Sequence, residues 1–250
     1  MMEGKEHWKT FFGKDYVKFS ETILTQDRTR FEFQQLQRIL NLPKGAKILD
    51  LGCGQGRLSL PLAKAGYTIT GFDGSLSLLN EAKDRAKKEC LKINFEHGDM
   101  RELNYTNQFD AVINIGTAFG YVTKEEDDLN ILKRVNNALK PNGILLLETE
   151  NREMKLKNTM GKIWNEMNGQ PVWSDRSFNC ITGRWTETIQ WLNGNKLEKK
   201  ILDLRLYSAT ELQKMLKDVK FNVLKVLGGF DLSPLETTSQ RLLILSQKEH

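Results

Sequence analysis

The run Ile48-Leu-Asp-Leu-Gly-Cys-Gly-Gln-Gly56 constrains this chain more than any other segment. An apolar strand, Ala46 to Leu51, ends in three glycines at alternate positions, and a short helix is expected at once, from Leu58 to Lys64. Glycine there lets bare backbone approach a ligand where a side chain would stand in the way, and the helix start presents N–H groups to it. The run therefore predicts a strand, loop and helix that cradle a cofactor. A dinucleotide fingerprint places its third glycine one residue later, at position 57, where this chain has Arg57. That spacing counts against a nicotinamide or flavin cofactor.

Short apolar runs and amphipathic stretches then alternate. Strands are expected at Tyr67 to Phe72, Lys92 to Glu96, Phe109 to Ile115 and Ile144 to Glu148. Helices are expected at Ser75 to Lys88 and from Thr123, where Thr123 and Glu126 have capping-box spacing ahead of Leu129, Leu132, Val135 and Leu139. Lys140-Pro-Asn-Gly143 reads as the turn that stops that helix. Such alternation predicts a parallel sheet with helices on both faces. The C-terminal part changes in kind. Arg184 to Leu192 and Lys196 to Tyr207 alternate polar and apolar residues around Asn193-Gly-Asn195, which reads as a β-hairpin inserted between residues 150 and 207. Ser208 and Glu211 form a second capping box, and Phe221 to Leu227 and Arg241 to Ser246 are the last strands. Ahead of the glycine loop, Arg30 to Leu40 has helical spacing, while residues 1 to 29 are aromatic-rich and aperiodic.

At 250 residues the chain is long enough for a sizeable core. Its longest aliphatic runs are four residues, far below the ~20 of a membrane-spanning helix. Charges at Glu3, Lys5, Glu6 and Lys9 leave no apolar secretory core near the start, so a cytoplasmic location is expected. Three scattered cysteines, Cys53, Cys90 and Cys180, suggest neither a disulfide nor a metal site. The net charge of +5 is spread thinly among interleaved acids, so nucleic acid is not required as a partner.

Three further residue sets carry chemistry. Asp73 ends the second strand and can accept both hydroxyls of a ribose; its structural alternative is a charge at the start of the next helix. Asp99 and Met100, in His97-Gly-Asp-Met100, follow the third strand, where an acid can accept from an exocyclic adenine amine and a thioether can lie on the ring. Aromatic residues gather where a lid would be: Trp8, Phe11, Phe12 and Tyr16 near the N-terminus, and Trp164, Trp173, Trp185 and Trp191 in the insertion. Such rings serve either to enclose an acceptor or simply to pack, and Trp185 and Trp191, six apart, share one strand face.

Asp50-Leu-Gly-Cys-Gly-Gln-Gly56, Asp73, Gly98-Asp-Met100, Phe109-Asp-Ala-Val-Ile-Asn-Ile-Gly116 and Leu139-Lys-Pro-Asn-Gly143, in that order, resemble the class I S-adenosylmethionine-dependent methyltransferases. The resemblance implies an α/β fold with a Rossmann-like seven-stranded sheet, its last strand antiparallel, and S-adenosylmethionine as cofactor with S-adenosylhomocysteine as product. It further implies that Gly52 and Gly54 border the methionine part, Asp73 holds the ribose, Asp99 and Met100 hold the adenine, and Ile115, Gly116, Thr117 and Ala118 line the methyl-donor side. Asp50, Cys53 and Gly74 would be cofactor-binding beside them. Within the class, Phe109 to Tyr121 and Gln26-Asp-Arg-Thr-Arg30 are similar to small-molecule enzymes such as glycine and sugar-amine N-methyltransferases. By that likeness Arg30, or Arg28 in its place, pairs with the cofactor carboxylate, and Tyr16 closes over it. Residues 1–29 would then be a lid segment on a domain of residues 30–250.

No Asn/Asp-Pro-Pro-Tyr follows the fourth strand and no Pro-Cys pair is present, which argues against amino-methylation of adenine or glutamine and against a covalent cytosine mechanism. The expected acceptor is nitrogen or oxygen on a small metabolite. An RNA methyltransferase of the same fold and a non-catalytic cofactor-binding protein are the alternatives. No catalytic base is identifiable in the sequence.

Overall fold

The structure, a computed structural model, describes residues 6–167 and 169–249, so the expectation of a lid at residues 1–5 lies outside the described residues. Three helices come first: α1 (Trp8–Phe11), α2 (Lys14–Ile23) and α3 (Gln26–Leu40). The alternating part follows as β1 (Lys47–Leu51), α4 (Ser59–Lys64), β2 (Thr68–Asp73), α5 (Leu76–Lys88), β3 (Asn94–His97), β4 (Phe109–Asn114), α6 (Glu125–Ala138) and β5 (Leu139–Glu150). After α7 (Arg152–Asn158) come β6 (Gly161–Met167), β7 (Gln170–Asn179), β8 (Arg184–Asn193) and β9 (Lys196–Arg205). The chain ends with α8 (Ala209–Asp218), β10 (Phe221–Leu227) and β11 (Arg241–Lys248).

Seven strands form one sheet in the order β10-β11-β5-β4-β1-β2-β3, with β11 antiparallel to both neighbours and the other pairings parallel. The chain runs outward from β1 through β2 to β3, then returns to β4 on the other side of β1. A crevice opens at the C-terminal ends of β1 and β4, where the direction of winding reverses. Alternate residues of each strand serve two cores. Leu49, Leu51, Val112, Leu145 and Leu147 face α6 and α8 through Leu132, Val135, Leu212 and Leu216. Ile48, Ile113, Leu146, Leu243 and Leu245 face the other way, onto Leu36 and Leu40 of α3 and Leu58 and Leu62 beside α4. Each such leucine contributes on the order of 1.5–3 kcal/mol by leaving water, which fixes the glycine loop between two packed layers.

Four expectations are corrected. The aperiodic N-terminus contains two helices, α1 and α2, and α3 starts at Gln26 rather than Arg30, capped by the Thr25 side chain accepting from the Arg28 N–H. Thr123 and Glu126 form no capping box; Lys124 is the N-cap without a side-chain bond, and four acids in the first turn, Glu125 to Asp128, complement the helix dipole instead. Lys140-Pro-Asn-Gly143 lies within β5 as an irregularity, because Phe109 pairs with Leu139 and Ala111 already pairs with Ile144. The inserted hairpin is half of a larger unit: β6, β7, β8 and β9 form a four-stranded antiparallel sheet. The second capping box is present, with Ser208 and Glu211 bonded reciprocally.

Trp185 and Trp191 do share a face of this second sheet, and both are buried. Trp164 and Trp173 pair directly on the opposite face and are exposed. The end of the second sheet is stitched to the loop after β4: Arg205 N–H donates to Gly120 O at 2.7 Å and Arg184 donates to Val122 O at 2.8 Å. Tyr207 Oη donates to Asp128 Oδ2 at 2.8 Å inside the core. Burial pushes the Asp128 carboxyl up to about 7, against the opposing effect of the Tyr207 hydrogen bond.

A folded-state value above the unfolded one means that the native chain binds the extra proton, so this group's contribution is fullest below about pH 4 and is lost as pH rises through about 7. Asp128→Asn keeps the Tyr207 bond without the charge. Its stability relative to wild type is expected to rise between pH 4 and 8, by no more than about 4 kcal/mol, in urea unfolding. Parallel curves for the two proteins across that range would show that Asp128 does not titrate in this way.

Candidate functional site

The principal cavity lies at the crevice between β1 and β4, and three loops build it. In the first, Gly52 takes a left-handed φ of +80°, and a Cβ there would collide with Ala118 and stand 3.0 Å from Met100 Cε. Backbone hydrogen bonds tie this loop to the neighbouring strand: the Gly52 and Cys53 N–H groups donate to Phe72 O at 2.7 and 3.3 Å. Asp73, at the end of β2, accepts from the Gly54 N–H at 2.8 Å through one oxygen and from the Ser75 N–H at 2.7 Å through the other. Burial raises its pKa, and these two hydrogen bonds oppose the rise. Asp50, in β1, is buried and accepts from Ser59 Oγ at 2.5 Å, and burial pushes its pKa up to about 6.

In the second loop, Asp99 receives Arg101 through three donors, at 2.9, 3.0 and 2.5 Å. Burial alone would raise the Asp99 pKa, but the Arg101 hydrogen bonds and charge outweigh it and hold the carboxyl below its ordinary value. The third loop follows β4 and contains two consecutive left-handed residues, Gly116 at +81° and Thr117 at +58°. A β-branched residue adopts that conformation only where the surroundings impose it. Here Gly116 N–H donates to Glu148 Oε2 at 2.6 Å, and Arg241 donates to Thr117 Oγ1 at 2.6 Å while forming an ion pair with the buried Glu148.

The N-terminal helices form a wall and roof. Trp8, Phe12 and Tyr16 line the cavity together with Tyr121. Phe12 meets Tyr16 and Tyr121 edge to face, with ring centroids 4.9 and 5.2 Å apart. Four polar contacts fasten this segment around the rim: Glu6 to Arg101 at 2.7 Å, Ser75 Oγ to Phe12 O at 2.6 Å, Gln55 to Ser20 at 3.2 Å, and Lys200 of β9 to Phe11 O at 3.2 Å.

Of the residues singled out in the sequence, Tyr16, Asp50, Gly52, Cys53, Gly54, Asp73, Gly74, Asp99, Met100, Ile115, Gly116 and Thr117 all line this cavity. Arg30 does not. Its side chain is 70% exposed and sits 3.7 Å from Asp27. The buried stripe of α3 runs through Glu32, Leu36 and Leu40, and Arg30 is two residues off it. Arg28, one turn before Glu32, lies on that stripe and donates to Glu32 at 2.6 Å, but it stops short of the cavity. Arg57 reaches the cavity, with its guanidinium 2.5 Å from the other Glu32 oxygen. Sequence reasoning noted Arg57 only as the residue that breaks a dinucleotide fingerprint; its position just after the glycine loop was the available signal. It gave no signal for the Glu148–Arg241 pair, which joins residues 93 apart in the chain.

The comparisons agree with this geometry. A methyltransferase-domain family matches residues 48–143. The chain is 30% identical over 227 residues to YqeM of Bacillus subtilis (strain 168), a protein whose name says methyltransferase and gives no acceptor; the match covers 83% of this chain and 86% of that one. It is 27% identical to the glycine/sarcosine N-methyltransferase of Aphanothece halophytica, over 68% of each chain. A ubiquinone biosynthesis O-methyltransferase of Bradyrhizobium diazoefficiens is 36% identical over 50% of this chain and 47% of its own. The crystal structure of an S-adenosylmethionine-dependent methyltransferase from Clostridium acetobutylicum ATCC 824 superposes with a TM-score of 0.83 at 20% identity, covering 95% of this chain and all of that one. The chain therefore belongs to the class I S-adenosylmethionine-dependent methyltransferases, enzymes that use S-adenosylmethionine as cofactor. Among the described residues no helix is long and apolar enough to cross a membrane.

Arg241→Met removes the cation that neutralises a fully buried Glu148. The expected cost is about 3–5 kcal/mol of unfolding free energy, because an unpaired charge remains inside. Adding Glu148→Gln should restore part of it. Urea midpoints for the single and double variants check this, and a single variant as stable as wild type would contradict the assignment.

Proposed function

We propose that this enzyme methylates a nitrogen, or less readily an oxygen, of a small metabolite inside the roofed cavity. The residues present fit the cofactor: a bare-backbone cradle at Gly52 that a Cβ would fill, and beside it an acid, Asp73, anchored by two backbone N–H groups. When bound, S-adenosylmethionine supplies a methyl group already activated on a positively charged sulfur. On this reading the Gly52 to Gly54 backbone, with Asp50 and Cys53 packed behind it, holds the methionine part. Asp73 and Gly74 hold the ribose, Asp99 and Met100 the adenine, and Ile115, Gly116 and Thr117 form the methyl-donor side. Arg57 takes the carboxylate role expected of Arg30 or Arg28, since among the described residues it is the only Lys or Arg lining the cavity. Tyr16 closes over the site, and residues 6–29 act as the lid.

The observation that supports nitrogen as the acceptor is that each carboxyl lining the cavity already accepts a hydrogen bond, with one Asp128 oxygen left without a partner among the described residues. Asp50 holds Ser59, Asp73 holds two N–H groups, Asp99 holds Arg101 and Asp128 holds Tyr207. Burial raises the pKa of the phenols of Tyr16 and Tyr121 and of the Cys53 thiol, so all three keep their protons. No histidine lines the cavity among the described residues. An acceptor that brings its own lone pair, an amine deprotonated before it enters, asks no proton transfer of carboxyls held in this way and suits the site better than an alcohol does. The chain's work is then to align that lone pair and to exclude water with the rings of Phe12, Tyr16 and Tyr121. The similarity to a glycine/sarcosine N-methyltransferase supports nitrogen; the O-methyltransferase relatives keep oxygen within the proposal.

The test is a screen of amine and hydroxyl metabolite pools with methyl-labelled cofactor, read by mass spectrometry. Labelled amines are expected, with kcat/KM rising with pH until the acceptor's own pKa is reached. Label found only in RNA would overturn the reading, and label found only in hydroxyl compounds would overturn the preference for nitrogen. Asp73→Ala should weaken S-adenosylhomocysteine binding by about 1–3 kcal/mol in calorimetry, because a double hydrogen-bond acceptor is lost. Unchanged affinity would remove Asp73 from the ribose site.

A further inference from the structure

Trp8 belongs to a short helix at the edge of the fold, yet it lines the cavity on the same wall as Asp73, Gly74, Gly98 and Asp99. Its six-membered ring lies directly on Gly74: a Cβ at that position would stand 2.5 Å from Trp8 Cζ3 and 2.9 Å from Cη2. The indole Nε1 is sealed from solvent and has no acceptor among the described residues. A buried N–H without a partner is uncommon in a native fold and calls for an explanation. The backbone around it is well tethered, at Glu6 to Arg101, at Phe11 O to Lys200 and at Phe12 O to Ser75. The segment is therefore positioned from both sides while the indole nitrogen of this cavity-lining side chain is left unsatisfied. An adenosyl group offers ring nitrogens and ribose oxygens as acceptors and carries an aromatic face suited to an indole.

We propose that Trp8 is a cofactor-contacting residue, donating its indole N–H to the adenosyl half of the cofactor and thereby coupling the N-terminal segment to cofactor binding. This rests on the reading of the cavity as the cofactor site. Arg101 extends the coupling, since one guanidinium holds Glu6 of the segment and Asp99 of the adenine wall at 2.7 and 2.5 Å. Gly74 is required because only a residue without Cβ leaves room for the ring.

The experiment titrates S-adenosylhomocysteine into the full-length chain, followed in parallel by calorimetry and by tryptophan fluorescence. Wild type is expected to bind with a change in emission. Trp8→Phe keeps a ring and loses the N–H; it should bind about 5- to 20-fold more weakly and lose most of the emission change, since Trp164, Trp173, Trp185 and Trp191 do not line the cavity. Gly74→Ala, which must displace the indole, should weaken binding similarly in the wild-type background and add little to Trp8→Ala. Wild-type binding with unchanged or tighter affinity in Trp8→Phe overturns this proposal alone, the tighter result marking Trp8 as a plug that competes with the ligand. A wild-type protein that takes up no S-adenosylhomocysteine overturns the cofactor reading of the cavity and this proposal with it.

Discussion

The paired hydrogen bonds from the Gly54 and Ser75 N–H groups to Asp73 organise the rest of the site. A loop of three glycines has little conformational preference of its own, and its ordering is costly because glycine loses more backbone freedom than other residues. The Asp73 carboxylate offsets that cost by tying the loop after β1 to the start of α5, from the adjacent strand, in a partly dry environment where each such bond is strong. The same geometry leaves lone pairs on both carboxylate oxygens directed away from the two backbone donors. The structural role at Asp73 therefore leaves room for the ligand-binding role proposed for it, although the sequence presented the two as alternatives. The acid that shapes the loop is the acid beside the cradle.

A second constraint acts on the opposite wall. Gly116 and Thr117 hold a left-handed bend that the Thr117 side chain disfavours, and Glu148 and Arg241 impose it from below. This arrangement explains why the antiparallel strand β11 matters to a site it does not line: it delivers Arg241 beneath the loop after β4. Burying an ion pair gains little net stability by itself. Its value here is positional, since Glu148 accepts from backbone on one side and from a guanidinium on the other, and the bend has only one arrangement that satisfies both.

The glycine run, Asp73, Gly98-Asp-Met100 and the segment after β4 were legible in the sequence because each lies at the C-terminal end of a strand whose apolar run is unmistakable. Of the residues assigned to the cofactor in the sequence, all but Arg28 and Arg30 line the cavity. Arg30 points to solvent for a geometric reason: two residues on a helix is about 200°, so Arg28 lies on the buried stripe and Arg30 off it, and neither reaches the cavity. Strands β6 and β7 were missed because Gly161 to Met167 is exposed on nearly every residue and β7 buries only Val172 and Ser174 fully; a strand that packs so lightly leaves a weak alternation. The helices α1 and α2 were missed because a turn of four residues and a ten-residue helix are held by contacts to distant parts of the chain, which local periodicity does not record.

Those distant contacts divide the site into two mechanical halves. The cradle is built from loops anchored in a sheet whose strands are buried on both faces, so it is fixed before any ligand arrives. The roof is built from short helices fastened at Glu6, Phe11, Phe12 and Ser20 by polar contacts, with no residue of α1 fully buried. Apart from the buried Ser20–Gln55 bond, these tethers lie nearer the surface, where each is individually weak and exchanges with water, whereas a buried sheet opens only with the whole domain. The four-stranded insertion contributes to both halves at once. Through Arg205 and Arg184 it grips the loop after β4, and through Lys200 it holds the roof. On the proposed function, access to the cavity would be governed where the fold is least costly to disturb and alignment of the reacting groups where it is most costly, which is the division an enzyme needs if it must both admit an acceptor and exclude water.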